Sequence, residues 1–172
     1  MRHLLALLLL ALVAMAQEPI TLYGGRLMFE VPRGLFAITP EAIKEGYLAR
    51  YPPQHVYKNQ TGDVSVAFNH MQNKPVSQGT LQAFRDQLEL DLKKKWPGLQ
   101  WVGTSFVTLN GVRWFQLEFK STEQGFTISN CVLGTPLNGS LLEVSLHSFA
   151  DFDPVMTNAL VDAKLSLRLL TQ

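Results

Sequence analysis

Seven polar side chains in the second half of the sequence are of the types that carry out nucleophilic and acid–base chemistry. Alternation along their segments predicts that they share one polar face of a β-sheet. The set is Glu118, Thr127, Ser129, Cys131, Glu143, Ser145 and His147. By residue type it offers a nucleophile, a base and acids, so the register of the strands decides whether any two of them can react together.

The register that we expect argues against a catalytic pair of Cys131 and His147. It pairs Leu142 with Val132 and so places His147 opposite Thr127. Cys131 lies four residues farther along that strand, a separation on the order of 13 Å at ~3.3 Å per residue. A nucleophile and its base need hydrogen-bond contact of about 3 Å. We therefore predict that Cys131 is a small residue packed under a covering element.

The remaining candidates for chemistry are isolated residues. In the same register Ser129 and His147 are diagonal neighbours at ~7–8 Å, and no Gly-x-Ser-x-Gly elbow surrounds the serine. His55, His70 and His147 stand singly on separate segments, without the short spacing that brings two ligands to one metal ion. No glycine-rich phosphate loop is present. The sequence thus predicts no catalytic residue, no metal site and no cofactor.

An apolar cluster on the otherwise polar face is the candidate for partner binding, and its members are Val107, Leu109, Val112 and Trp114. Two interpretations remain open. The last helix can cover the cluster, in which case it belongs to the core. If nothing covers it, Trp114 is an anchor for a partner, because an indole brings a large contact area with little loss of entropy.

The Asn110-Gly111 turn fixes the strand register around this cluster. With Leu109 opposite Val112, the face assigned to the core pairs Phe106 with Phe115, Thr104 with Leu117 and Val102 with Phe119. The opposite face pairs Trp101 with Lys120, Gly103 with Glu118, Ser105 with Gln116 and Val107 with Trp114. A second hairpin turns at Leu137-Asn138-Gly139.

The elements that position these residues form a sheet with helices. Gly24-Gly25 joins two short strands, residues 20–23 and 26–31, and residues 64–68 alternate as a half-buried strand. Helices are predicted over residues 41–50, over residues 80–96 and after Asp153-Pro154. The fold class is therefore α+β, an antiparallel sheet sandwiched by helices, in a single domain of residues 17–172.

Residues 1–16 have the pattern of a secretory signal peptide cut after Ala16, with a basic start, an apolar run and small residues at the cleavage site. The run is too short for a transmembrane anchor. Removal of Arg2 takes the formal net charge from +1 to zero, so neither nucleic acid nor an anionic membrane is indicated. The lone Cys131 is far from the cleavage site, which argues against a lipoprotein. We expect a periplasmic or secreted protein.

Several segments resemble the PsbP/DcrB superfamily. They are residues 29–34 (FEVPRG), residues 39–44 (TPEAIK), residues 59–68 (NQTGDVSVAF), Asn110-Gly111 with Trp114, and the closing strand and helix of residues 141–169. The resemblance spans nearly the whole mature chain and implies an α-β-α sandwich around an antiparallel sheet. It also implies partner binding more than catalysis, because its motifs are structural ones.

Two functions follow as hypotheses. The first is an exported, non-enzymatic binding or assembly protein of the cell envelope, with another protein as its partner. The alternative is a small exported enzyme or ligand carrier with a pocket on a curved sheet, in which His70 or His147 titrates. A pocket-lining histidine near a carboxylate would favour the alternative.

Overall fold

The computed structural model describes residues 19–47, 52–123, 125–149 and 154–170, with side chains from residue 158 onward in the last stretch. The expected signal peptide and Asp153, the expected cap of the last helix, lie outside these ranges. The elements are β1 (Ile20–Leu22), β2 (Leu27–Phe29), β3 (Phe36–Ala37), α1 (Pro40–Gly46), β4 (His55–Lys58), β5 (Val64–Pro75), α2 (Leu81–Lys95), β6 (Gln100–Leu109), β7 (Val112–Glu123), β8 (Phe126–Leu137), β9 (Ser140–Phe149), α3 (Pro154–Ser166) and β10 (Arg168–Leu169).

Seven antiparallel strands form the central sheet, in the order β3-β4-β5-β9-β8-β7-β6. A small sheet of β1, β2 and β10 packs together with α3 against one side, which we call the α3 face. Helix α2 packs against the other side, the α2 face, and α1 packs on the same side over β4 and β5. This α+β arrangement confirms the predicted fold class.

The helices begin where the sequence predicts, but the first is shorter. The Oγ1 of Thr39 accepts a hydrogen bond from the backbone N–H of Ala42 at 3.3 Å, and Pro40 takes the first turn. Helix α1 ends at Gly46 because Tyr47 is extended, so the expectation of a helix over residues 41–50 was wrong at its end. Helix α2 matches its prediction to within a residue at each end.

The Asn110-Gly111 hairpin has the predicted register from Gly103 to Leu109. A β-bulge at Val102 overturns the two outer pairs, since Trp101 now lies opposite Phe119. The extra residue turns the Trp101 ring onto the α2 face, where it stacks on Phe119 at 5.5 Å between centroids. Val102 is left 61% exposed. Burial of the larger aromatic side chain explains the shift.

The register of β8 and β9 differs from the prediction by three residues. Asn138 and Gly139 both have positive φ, +53° and +75°, so they form a two-residue turn with Leu137 opposite Ser140. Val132 therefore pairs with Ser145 instead of Leu142. A shift by an odd number of residues exchanges the faces of a strand, and this changes which polar side chains meet.

Candidate functional site

The predicted partner-binding cluster lies in the core. Trp114 is 0% exposed and packs with Leu109 among residues of α3 and the small sheet. Val107 and Val112 are half-buried against the same core. The structure therefore supports the interpretation in which the last helix covers the cluster. The alternative, in which Trp114 is an exposed anchor for a partner, was wrong, because the indole is fully buried.

The seven polar side chains do not share a face. Glu118, Cys131 and Ser129 lie on the α3 face, whereas Glu143, Ser145 and His147 lie on the α2 face. The odd shift in register between β8 and β9 explains the difference. Cys131 pairs with Leu146, and so the sheet itself separates its thiol from the His147 ring.

A groove crosses the α2 face between α1 and α2, and we call it the His147 groove. It consists of two cavities of about 210 and 490 Å³, and His147 lines both. Its floor contains the polar side chains of Asn69, Asn130, Glu143, Ser145 and His147 beside the apolar side chains of Ala67, Met71 and Phe119. Its sides include Tyr47 and Pro53 near α1, and Leu92, Trp96 and Leu99 near α2. Trp96 is 47% exposed and stands at the rim.

A hydrogen bond between neighbouring strands fixes the ring of His147. Its Nδ1 lies 2.7 Å from Oδ1 of Asn130, its partner across the sheet. The Nδ2 of Asn130 donates to the carbonyl of Ile128 and to Oγ of Ser121, each at 3.0 Å, so its Oδ1 faces the histidine as an acceptor. The proton is therefore on Nδ1, and Nε2 is the acceptor nitrogen of a neutral imidazole.

Burial shifts the pKa values of both titratable groups on the floor. It lowers the pKa of His147 to about 4, which keeps the ring neutral. It raises the pKa of Glu143 to about 7, although a hydrogen bond with Ser145 acts in the opposite direction. The floor is therefore an array of uncharged or weakly charged donors and acceptors at slightly acidic pH.

The spacing of Glu143 and His147 does not favour joint catalysis. They are four residues apart on one strand, which places them on the order of 13 Å apart. A general acid and base that act on one bond need closer placement. The arrangement suits hydrogen bonding along an extended surface. The sequence missed Asn130, and only the Asn138-Gly139 turn type could have placed it opposite His147.

Cys131 lines a separate cavity of about 250 Å³ between α3 and the sheet. Burial raises the pKa of its thiol to about 11, while the nearby charges of Lys164 and Glu118 act in opposite directions. A thiol with so high a pKa is almost entirely protonated at neutral pH and is a poor nucleophile. This environment suits a packed residue.

His55 and His70 lie away from the groove floor, beside Tyr23. The Tyr23 ring makes edge contacts with both histidines, at 5.2 and 5.6 Å between centroids. Nε2 of His70 lies 2.9 Å from the carbonyl of Leu137. Within the described ranges, no three His, Cys, Asp or Glu side chains form a group that could hold a metal ion.

Comparison with known proteins identifies the fold. No model of a protein family and no curated protein sequence matches this chain. Solved structures do match, and they show that the chain has a PsbP/Mog1/DcrB-like fold. The expected structural resemblance to PsbP is thereby confirmed.

Three of these structures illustrate the likeness. PsbP (CyanoP) from Synechocystis sp. PCC 6803 is similar with a TM-score of 0.64 and 12% identity, over 92% of this chain and 95% of that one. The Ran-binding protein Mog1p of Saccharomyces cerevisiae has a TM-score of 0.56 and 15% identity, over 88% and 94%. LpqN, involved in cell envelope biogenesis of Mycobacterium tuberculosis, has a TM-score of 0.53 and 18% identity, over 90% of each chain.

None of the helices in the described part of the chain combines the length and the apolar character needed to cross a membrane.

Proposed function

We propose that this chain is an exported, non-enzymatic binding or assembly protein of the cell envelope, and that it holds a segment of a partner protein in the His147 groove. The groove itself is the observation that carries the proposal. It combines polar side chains on its floor with the exposed Trp96 at its rim, on a face that α1 and α2 leave partly open.

The groove suits a polypeptide partner because both kinds of hydrogen-bonding group are available along it. Nε2 of His147 is an acceptor, and the protonated form of Glu143 can donate. The indole at the rim is suited to such contact, because tryptophan is enriched among the residues that contribute most of the binding energy of protein interfaces. One structural neighbour points the same way, since Mog1p is a Ran-binding protein.

Export rests on the leader pattern of residues 1–16. LpqN, a structural neighbour, is described as a protein of cell envelope biogenesis, which supports the same compartment. The proposed site of action is therefore the periplasm or the cell exterior.

The alternative of a ligand carrier keeps one specific observation in its favour. His147 lines a cavity that also contains Glu143, so the helices are not packed flush on the sheet. The enzymatic version is weaker, because the two side chains are on the order of 13 Å apart and the thiol of Cys131 lies on the opposite face. A small ligand would occupy the same floor as the partner segment.

Site-specific photo-crosslinking in the native envelope tests the proposal. A photoreactive amino acid replaces Trp96 at the groove rim, and the matched control replaces Leu90, which is exposed on the outer side of the same helix. We expect one discrete protein adduct from position 96 and none from position 90. Adducts of equal yield at both positions, or none at position 96, would refute the groove as the protein-binding site.

A further inference from the structure

In the part of the chain that the structure describes, the outer edge of β6 is open. This strand ends the seven-stranded sheet and pairs with β7, and within the described ranges no other strand lies beside it. At the other end of the sheet, β3 has only two residues, a length that offers little for pairing. Strand β6 has ten residues.

The turn determines which backbone groups of β6 face outward. Leu109 and Val112 flank a two-residue turn, so they form a hydrogen-bonded pair, and every second residue before Leu109 also bonds to β7. The residues between them direct their N–H and C=O groups away from β7, and they are Thr104, Phe106 and Thr108.

From Gly103 to Leu109, strand β6 lacks the features that normally prevent edge pairing. It contains no charged side chain and no proline from Gln100 to Leu109. The bulge at Val102 lies near its start and leaves residues 103–109 in regular register. The part of β5 that extends beyond β4 is different, because the side chain of Gln54 covers its backbone there. The Oε1 of Gln54 accepts from the N–H of His70 at 2.7 Å, and its Nε2 donates to the carbonyl of His70 at 3.4 Å.

Side chains on both sides of the β6 edge offer additional contact surface. On the α3 face, Val102, Val161 and Leu165 are exposed apolar residues. On the α2 face, the guanidinium groups of Arg85 and Arg113 lie over the ring of Phe106, at 4.5 and 3.6 Å from its centroid. A strand added to this edge would bury the apolar group and extend the sheet.

We propose that β6 pairs antiparallel with β6 of a second copy of this chain, around a two-fold axis at Phe106. In this register Phe106 lies opposite its counterpart, Thr104 lies opposite Thr108, and about six backbone hydrogen bonds form. The strand itself makes a second copy a suitable occupant, because residues 100–109 carry no charged side chain that would oppose its counterpart. The guanidinium groups of Arg85 and Arg113 gather beside the axis over Phe106 in both copies, so the pairing should tighten as the salt concentration rises. The formal net charge of zero without residues 1–16 removes general repulsion as well.

Sedimentation velocity of the purified mature chain, from about 1 to 100 µM, tests this pairing. We expect a concentration-dependent dimer. Thr108→Pro removes an outward N–H and leaves the bonds to β7 in place, so the dissociation constant should rise roughly tenfold or more. Thr108→Val keeps that N–H and should dimerise like the unmodified chain. Circular dichroism verifies that each variant is folded.

Two outcomes would overturn the proposal: a chain that stays monomeric over the whole range, or a folded Thr108→Pro variant that dimerises as tightly as the unmodified chain. If Thr108→Pro does not fold, Ser105→Lys decides, because it places a charge in the middle of the exposed edge without touching the hydrogen bonds to β7. Undiminished dimerisation of Ser105→Lys would then reject β6 as the interface.

Discussion

Glu143 and His147 project from the same face of β9, and burial shifts their pKa values in opposite directions. The pKa of His147 falls to about 4 from its ordinary 6.5, so between pH 4 and 6.5 the unfolded chain binds more protons at this residue than the folded chain does. The pKa of Glu143 rises to about 7 from 4.5, so between pH 4.5 and 7 the folded chain binds more protons at this residue than the unfolded chain does. Their contributions to the pH dependence of stability therefore oppose each other.

Removing either group should isolate that group's own effect in the difference from wild type. In Glu143→Gln, the free energy of unfolding should increase relative to wild type as the pH rises from 4.5 to 7, because the variant lacks the loss of stability that Glu143 brings over that range. In His147→Gln, stability should decrease relative to wild type as the pH rises from 4 to 6.5, because the variant lacks the gain of stability that His147 brings. Each effect is on the order of 3 kcal/mol. Urea unfolding at half-unit pH steps measures both.

The difference between variant and wild type isolates the two groups from other titrating residues, such as His55, whose pKa burial also lowers. Difference profiles with the same sign for the two variants would contradict the placement of these side chains on the groove floor.

Trp114 should behave as a core residue. Trp114→Ala should lower the free energy of unfolding by about 3–5 kcal/mol, because it leaves a large cavity under α3. Trp114→Phe should cost clearly less, since the ring still fills most of the space and the buried Nε1, which has no hydrogen-bond partner among the described residues, is removed. Chemical denaturation distinguishes the two. An alanine variant as stable as wild type would contradict the burial of the indole in the core.

Phe115 lies directly over Gly134 on the adjacent strand. A Cβ added at Gly134 would meet three carbons of that ring at 2.2, 2.3 and 2.9 Å, and the ring is fully buried. We expect Gly134→Ala to destabilise the fold by about 1–3 kcal/mol through overpacking. Adding Phe115→Leu should relieve part of that cost. Additive effects in the double-mutant cycle would show that the two residues do not touch.

Asn110 connects the β6–β7 turn to the end of α3. Its Nδ2 donates to the carbonyls of Leu165 and Leu167 at 3.0 and 2.9 Å, and its φ is +48°. Asn110→Gly keeps the turn and loses the two bonds, so it should cost about 1–2 kcal/mol. Asn110→Ala adds the strain of a positive φ and should cost about 1 kcal/mol more. Equal stability of wild type, Asn110→Gly and Asn110→Ala would contradict a stabilising role for the two hydrogen bonds of Asn110.

The two hairpins show how far sequence reasoning reaches. Asn110-Gly111 predicted six cross-strand residue pairs correctly, because a two-residue turn admits one register. Asn138-Gly139 follows the same rule, yet the apolar pattern favoured another register. Both faces of β8 carry apolar residues, as expected of a central strand under helices on both sides, and alternation then gives no clear signal.

The groove depends on contacts that no local pattern contains. Asn130 meets His147 only in the register set by the turn, and the open space between α1 and α2 depends on where each helix packs. The bulge at Val102 likewise follows from the stacking of Trp101 on Phe119, which is a tertiary contact. The fold class and the helices could be predicted because periodicity and caps are local.

Thiol labelling in intact source cells tests export and groove occupancy together. In a Cys131→Ala background, Glu123→Cys reports on the groove, whose larger cavity Glu123 lines, and Leu90→Cys reports on the outer side of α2; both positions are exposed. A small membrane-impermeant maleimide should label both purified proteins readily. In cells we expect Leu90→Cys to react at its purified rate and Glu123→Cys to react several-fold more slowly. Equal rates in cells would contradict an occupied groove, and no labelling at either position would contradict export.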